Sequence, residues 1–203
     1  MDTKQFTIVN SNSDTLIVAF SGYGSIGNGK KFDFYNLLTQ RFGTADLHFY
    51  CDNKMNCYNY GLADISEDIT GTVEYFKPII KKYKNTIFLG SSAGGYAASL
   101  YGSILNVKSV IAFNPPTKMC EHIETKPDEE QYRDVKNHIN EYTNYHIFGD
   151  LSVLNEEDPH HVSHCQNITI HPNVNLVLKE QLNLLKMRDD GELFDIINHA
   201  YCS

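Results

Sequence analysis

Short apolar runs alternate along the chain with longer amphipathic stretches, and that alternation predicts an α/β fold with a mostly parallel sheet. Residues 6–9 and 16–20 read as the first two strands, and the short polar turn at 10–14 predicts that they pair as an antiparallel hairpin. Residues 32–42 read as a helix stopped by Gly43, and 47–51 as the next strand. Residues 64–84 are helical in pattern, with acidic residues early and lysines late as the helix dipole favours, and Pro78 is expected to kink or restart that helix. A central strand at 87–89, a helix at 94–104 and a buried strand at 109–113 follow, the last stopped by Asn114-Pro115-Pro116. Beyond a polar, irregular stretch at 117–130, a surface helix is expected at 131–142 and a strand at 145–149. A loop rich in acid and histidine covers 150–166, one or two short strands lie between 168 and 178, and a helix broken at Gly191 spans 182–198. No repeat or linker interrupts this pattern, so residues 1–203 are read as one domain.

The junction between the central strand and its helix carries the chemistry. Gly90-Ser91-Ser92-Ala93-Gly94 is a G-x-S-x-G pentapeptide with an apolar run before it and small residues after it, the setting of a nucleophile elbow. In such a turn Ser92 is forced into a strained conformation at the positive end of the next helix, while Gly90 and Gly94 let backbone pass close by. Ser91 falls in the variable position of the motif and is the weaker candidate.

A serine hydroxyl becomes a nucleophile only when a base takes its proton, and that base is usually a histidine oriented by a carboxylate. For the carboxylate, Asp158 is preferred because it lies on the loop a few residues beyond a late strand; Asp150, at the end of that strand, could instead cap the next turn. For the base, His160, His161 and His164 lie beside the acid, while His171 and His199 lie further on. The junction between the last strand and the last helix, where a histidine is expected, holds Gln181, which cannot accept a proton at neutral pH. For the oxyanion, Ala93 offers its N–H from the elbow, and Gly22 and Tyr23 offer theirs from the glycine-rich loop 21–29 after the second strand. That loop does not fit a nucleotide-phosphate motif, because no Lys-Ser or Lys-Thr pair opens a helix after it.

Composition narrows the partners. A net charge of −8 argues against nucleic acid and against an anionic membrane surface. No run is long and apolar enough to span a bilayer, and no signal pattern opens the chain, so a cytoplasmic location is expected. The five cysteines are widely spaced without a CxxC pair and read as free thiols. Cys165 near three histidines invites a zinc site, but no second pair of soft ligands accompanies it, so neither metal nor cofactor is expected.

Together these segments resemble a group of small α/β-hydrolase-like proteins found in polysaccharide clusters and viral genomes. The resemblance rests on residues 16–22, on Asp52 with Tyr58-Asn59-Tyr60-Gly61-Leu62, and on the elbow continued through Tyr101-Gly102. It extends to Phe113-Asn114-Pro115-Pro116-Thr117, to Gly149, Asp158 and His161, and to Gly191-Glu192-Leu193. It implies an α/β-hydrolase-like three-layer sandwich with a mostly parallel central sheet and little or no cap. It also implies a Ser–Asp–His site, carried over to Ser92 and Asp158 but not to the base, because Gln181 stands where the group is expected to hold its catalytic histidine; His161, with His171 as the alternative, is the candidate to fill that role. The expected activity is esterase-type cleavage of a small-molecule ester or an acylated sugar. The alternatives are acyl transfer to an alcohol and, because of Gln181, a catalytically impaired protein that keeps the fold as a scaffold.

Overall fold

In strand β2 (Thr15–Phe20) every residue is buried, so the strand must be covered on both faces and paired on both edges. The computed structural model, which describes residues 5–10, 12–23, 32–119 and 126–203, places it in the middle of a seven-stranded sheet. The other strands are β1 (Gln5–Ile8), β3 (Asp46–Tyr50), β4 (Asn85–Ser91), β5 (Ser109–Phe113), β6 (Asn144–Asp150) and β7 (Val174–Lys179), and their spatial order is β1-β3-β2-β4-β5-β6-β7. All pairings are parallel except that of β1 with β3. Because side chains alternate along a strand, Leu16, Val18 and Phe20 enter one core and Ile17 and Ala19 the other.

The first core is closed by helices α2 (Ile69–Ile80) and α3 (Ala93–Leu105). The second is closed by α1 (Tyr35–Arg41), α5 (Leu184–Asp189) and α6 (Glu192–Cys202). The result is a three-layer α/β-hydrolase-like sandwich. Each fully buried large apolar side chain contributes about 1.5–3 kcal/mol. Phe20 gathers Tyr50, Tyr58, Phe76, Phe88 and Tyr101 around it, with ring centroids 5.4–5.9 Å away.

The structure departs from the sequence expectation at β1, at the expected surface helix and at Pro78. β1 and β2 do not form a hairpin; β1 pairs with β3 at the sheet edge. The Asn10 N–H donates to the Asp46 carboxylate, 2.6 Å away, and the Asn10 amide donates to Ala45 O, which carries the chain past the end of β3. A strand as exposed as β1 suits that edge, whereas fully buried β2 takes the centre. The surface helix expected at 131–142 is replaced by 3-10 turns over Pro127–Arg133 and Val135–Asn137. Asn140 prevents a helix there, because its side-chain oxygen takes the N–H groups of Tyr142 and Thr143. Finally, Pro78 does not break α2; it sits in the last turn, two residues before the helix ends at Ile80.

Beyond Ser21 the chain leaves β2 on one side of the switch in strand order, and beyond Ser91 it leaves β4 on the other. The crevice at the carboxyl ends of these two strands is where parallel sheets of this type place ligands.

Candidate active site

Ser92 links β4 to α3 with φ 53° and ψ −124°, a backbone state that a residue with a Cβ seldom adopts and that costs about 1–3 kcal/mol. The flanking glycines show why the chain accepts it. A Cβ on Gly90 would lie 2.0 Å from Gly94 O, and one on Gly94 would lie 2.1 Å from Phe20 O. The turn is therefore so tight that only glycine fits at either side. The Ser92 N–H is anchored to Phe113 O, at 2.9 Å, and its carbonyl accepts from Tyr96. Its side chain is half-buried and lies at the sheet edge rather than inside the core.

The imidazole that meets it is that of His160. Its Nε2 lies 2.7 Å from Ser92 Oγ, and its Nδ1 lies 3.3 Å from Asp158 Oδ1. The same carboxylate oxygen accepts the His160 N–H at 2.8 Å, an Asx turn in the segment Asp158-Pro159-His160 that fixes acid and imidazole together. His161 has a different task. Its Nδ1 contacts the Ser163 hydroxyl at 2.9 Å and accepts the Ser163 N–H, capping the short helix α4 (Val162–Gln166). The structure thus brings Ser92 and Asp158 together through His160 and leaves His161 turned to the helix. His164 accepts the Lys118 N–H through Nδ1, and burial, reinforced by the charges of His161 and His160, holds its pKa below the usual histidine value. His171 opens the turn before β7, its carbonyl accepting the Val174 N–H. His199 lies in α6 against His146, at the opposite end of β6 from Asp150.

Asp150 ties down the other side of the loop. Its Oδ2 accepts the Leu182 N–H at 3.0 Å, and its Oδ1 accepts both the N–H and the hydroxyl of Ser152. Burial pushes this carboxyl up, but the Ser152 and Leu182 hydrogen bonds, with the nearby charge of His160, more than offset it and leave the group below the usual carboxylate range. Gln181 is exposed, one residue before the Leu182 N–H that Asp150 holds.

On the far side of Ser92 stands the start of the glycine-rich loop; its residues 24–29 lie outside the described residues. A Cβ on Gly22 would lie 3.2 Å from Ser91 O and 3.7 Å from Ser92 Cβ, so Gly22 is pressed against the serine turn. Its N–H is given to Asp33 Oδ2, at 2.8 Å, while the Asp33 N–H donates to Ser21 Oγ. Gly22 is therefore a close-packing glycine whose N–H is already committed, which departs from the expectation of an oxyanion donor. Tyr23 is exposed beside it. Ala93 opens α3, and its N–H belongs to the first turn, which has no intrahelical acceptor. Asp33 escaped notice in the sequence because an Asp within an apolar helix-like run gives no signal of its contact with Gly22.

The motif Asp52 to Leu62 supports this edge. The Asp52 carboxylate gathers the N–H groups of Lys54, Asn56 and Tyr58, and the Tyr58 hydroxyl donates to Ser21 O at 2.7 Å. Tyr101 and Tyr96 of α3 donate to Tyr58 O and Asn59 Oδ1. Cys165 is buried against β6, its Sγ 3.8 Å from Phe148 O, and burial pushes its thiol up to about 12. Cys120 lies outside the described residues. Among the described residues no group of three His, Cys, Asp or Glu side chains could hold a metal ion, and no helix is long and apolar enough to cross a membrane.

Residues 43–194 match the model of UPF0227, an uncharacterised protein family. The chain belongs to UPF0227. Its fold is shared with solved structures of low identity. The capsule O-acetyltransferase of Neisseria meningitidis serogroup A superposes with a TM-score of 0.64 at 17% identity, over 96% of this chain and 90% of its own. A lipase-esterase related protein of Clostridium acetobutylicum ATCC 824 gives 0.58 at 13% identity, over 96% and 98% of the two chains. Esterase 2 of Thermogutta terrifontis gives 0.58 at 12% identity, over 95% and 87%. No curated protein sequence matches the chain significantly. These likenesses establish the α/β-hydrolase-like fold of this UPF0227 member.

Proposed function

We propose that this UPF0227 protein is a serine esterase whose nucleophile is Ser92, whose base is His160 and whose orienting acid is Asp158. The observation that carries the reading is the 2.7 Å approach of His160 Nε2 to Ser92 Oγ at a turn that only a strained backbone allows. His160 takes the hydroxyl proton as Oγ attacks the ester carbonyl. Asp158, 3.3 Å from Nδ1, stabilises the imidazolium that forms. The Ala93 N–H at the helix start, joined by Tyr23, faces the developing oxyanion. His160 then gives its proton to the departing alcohol, and water repeats the sequence on the acyl-enzyme to release a carboxylic acid and restore Ser92.

The substrate class is a small-molecule ester or an acylated sugar. Transfer to an alcohol shares the acyl-enzyme, and the likeness to a capsule O-acetyltransferase favours keeping it as a second outcome. A scaffold reading rests on Gln181; the approach of an imidazole from the 150–161 loop to Ser92 favours the esterase over it.

Hydrolysis of p-nitrophenyl acetate by the native chain and by Ser92→Ala tests the reading. The variant is expected to lose about 10⁶-fold in kcat. Turnover by Ser92→Ala at the native rate would overturn it. Product analysis with glycerol present separates hydrolysis from transfer.

A further inference from the structure

A cavity of about 710 Å³ opens beside Ser91, between the segment leading into α1 and the α5–α6 pair. Its size falls in the range of small-molecule sites. Phe34 and Leu37 line it from one side, and Leu184, Leu185 and Leu193 from the other. Leu185 is 57% exposed, an apolar side chain left at the surface in a helix that buries Met187.

Two charged groups line it, and both are hydrogen-bonded. Asp33 accepts the Gly22 N–H. Arg188 holds Asp189 through Nε and Nη2, at 2.8 and 2.7 Å. The charge of Arg188 is matched by Asp189, so the leucine-lined surface suits a neutral hydrocarbon ligand, and the Asp33 carboxylate disfavours a phosphorylated or carboxylated one.

Its position relative to the reacting atoms decides which half of an ester it takes. The proton on its way to the leaving alcohol sits on His160, so the alcohol must lie towards the 150–161 loop. No described residue of that loop lines the cavity. It is lined instead by Ser91, the residue before the nucleophile, and by Asp33, which holds Gly22; the point where a Cβ on Gly22 would sit is 3.7 Å from Ser92 Cβ and 3.5 Å from Asp33 Oδ2.

We infer that this cavity is the acyl-chain subsite of the proposed esterase, and that its substrates carry a neutral, medium-length hydrocarbon acyl group. The inference rests on Ser92 being the nucleophile, and the experiment has one arm that does not. In the kinetic arm, kcat/KM is measured for p-nitrophenyl octanoate and acetate. The native chain is expected to favour octanoate by about tenfold or more, since the longer acyl chain removes more apolar surface from water. Leu184→Asp is expected to lower the octanoate-to-acetate ratio by a similar factor. In the binding arm, the absence of any native tryptophan makes an introduced one a unique reporter. The double variant Ser92→Ala, Leu185→Trp is titrated with methyl octanoate and methyl acetate. A saturable blue shift of indole emission with octanoate and none with acetate supports the subsite. Acetate turnover with a ratio insensitive to Leu184→Asp, or equal emission with both esters, overturns it while leaving Ser92 in place. A blue shift in a chain that hydrolyses neither ester keeps the subsite and refutes the nucleophile.

Discussion

Ser92 holds a backbone state that glycine would adopt with less strain, and the surrounding turn enforces it through Gly90 and Gly94. Replacing Ser92 by Gly or by Ala removes the hydroxyl in both cases but relieves the strain only in the first. Ser92→Gly is therefore expected to be more stable than Ser92→Ala by about 1 kcal/mol in urea unfolding, the reverse of the order in a helix interior. Equal stabilities would mean that the turn is unstrained. The serine and its glycines were legible in the sequence because a pentapeptide between a strand and a helix encodes a steric requirement. The imidazole was not. His160 and His161 are adjacent, and which one turns inward depends on the Asx turn that Asp158 makes with the His160 N–H and on the cap that His161 makes with Ser163. Both are side-chain choices that two adjacent histidines do not announce in the sequence. Gly22 likewise reads as an amide donor in the sequence, whereas in the structure Asp33, eleven residues on, holds that N–H.

The elements themselves followed the hydrophobic pattern where burial was two-sided and departed from it where polar side chains intervened. β2, β4 and β5 are apolar throughout their centres and fall where the pattern places them. The partner of β1 was decided by Asn10 and Asp46, outside any apolar run. α2 shows the same dependence on distant polar groups. Its N-terminus is capped by Asp68, which accepts from Gly71, and also by Glu129, which is 2% exposed and accepts the N–H groups of Ile69 and Thr70. Glu129 thereby clamps the excursion after β5 onto the first layer, and nothing in its local sequence announces it. Glu129→Gln keeps the volume but loses the charge at the helix N-terminus and one of two good acceptors. The expected result is a loss of about 1–3 kcal/mol in denaturant unfolding with the fold retained. Unchanged stability would show that the clamp contributes nothing.

Over the whole molecule, two apolar cores on either side of one sheet carry most of the stability, and a few buried ionisable groups make it depend on pH. Burial lowers the pKa of His48, against the opposing charge of Asp46, and burial with the charge of His199 lowers that of His146. Both are bound more tightly by protons in the unfolded chain, so stability is full above about pH 6.5 and falls as pH drops below it. His48→Gln and His146→Gln are each expected to flatten that part of the stability curve; a native curve flat between pH 7 and 5 would contradict the assignment. Asp150 acts at lower pH, because its depressed pKa contributes stability above about 3.9 that is lost as pH falls through the folded value. The three-layer class could be read from the alternation of elements alone, because layer order is a consequence of which faces are apolar. What the alternation could not reveal was that the loop after β6, rather than the one after β7, would deliver the imidazole.

The pairing of Ser92 with His160 is tested most directly by mass-spectrometric localisation of a fluorophosphonate adduct on the native chain, on His160→Ala and on His161→Ala. The account predicts an adduct on Ser92 in the native chain, a rate of labelling lowered by about 10²-fold or more in His160→Ala, and little change in His161→Ala. Native labelling elsewhere than Ser92, or a rate that depends on His161 and not on His160, would contradict it.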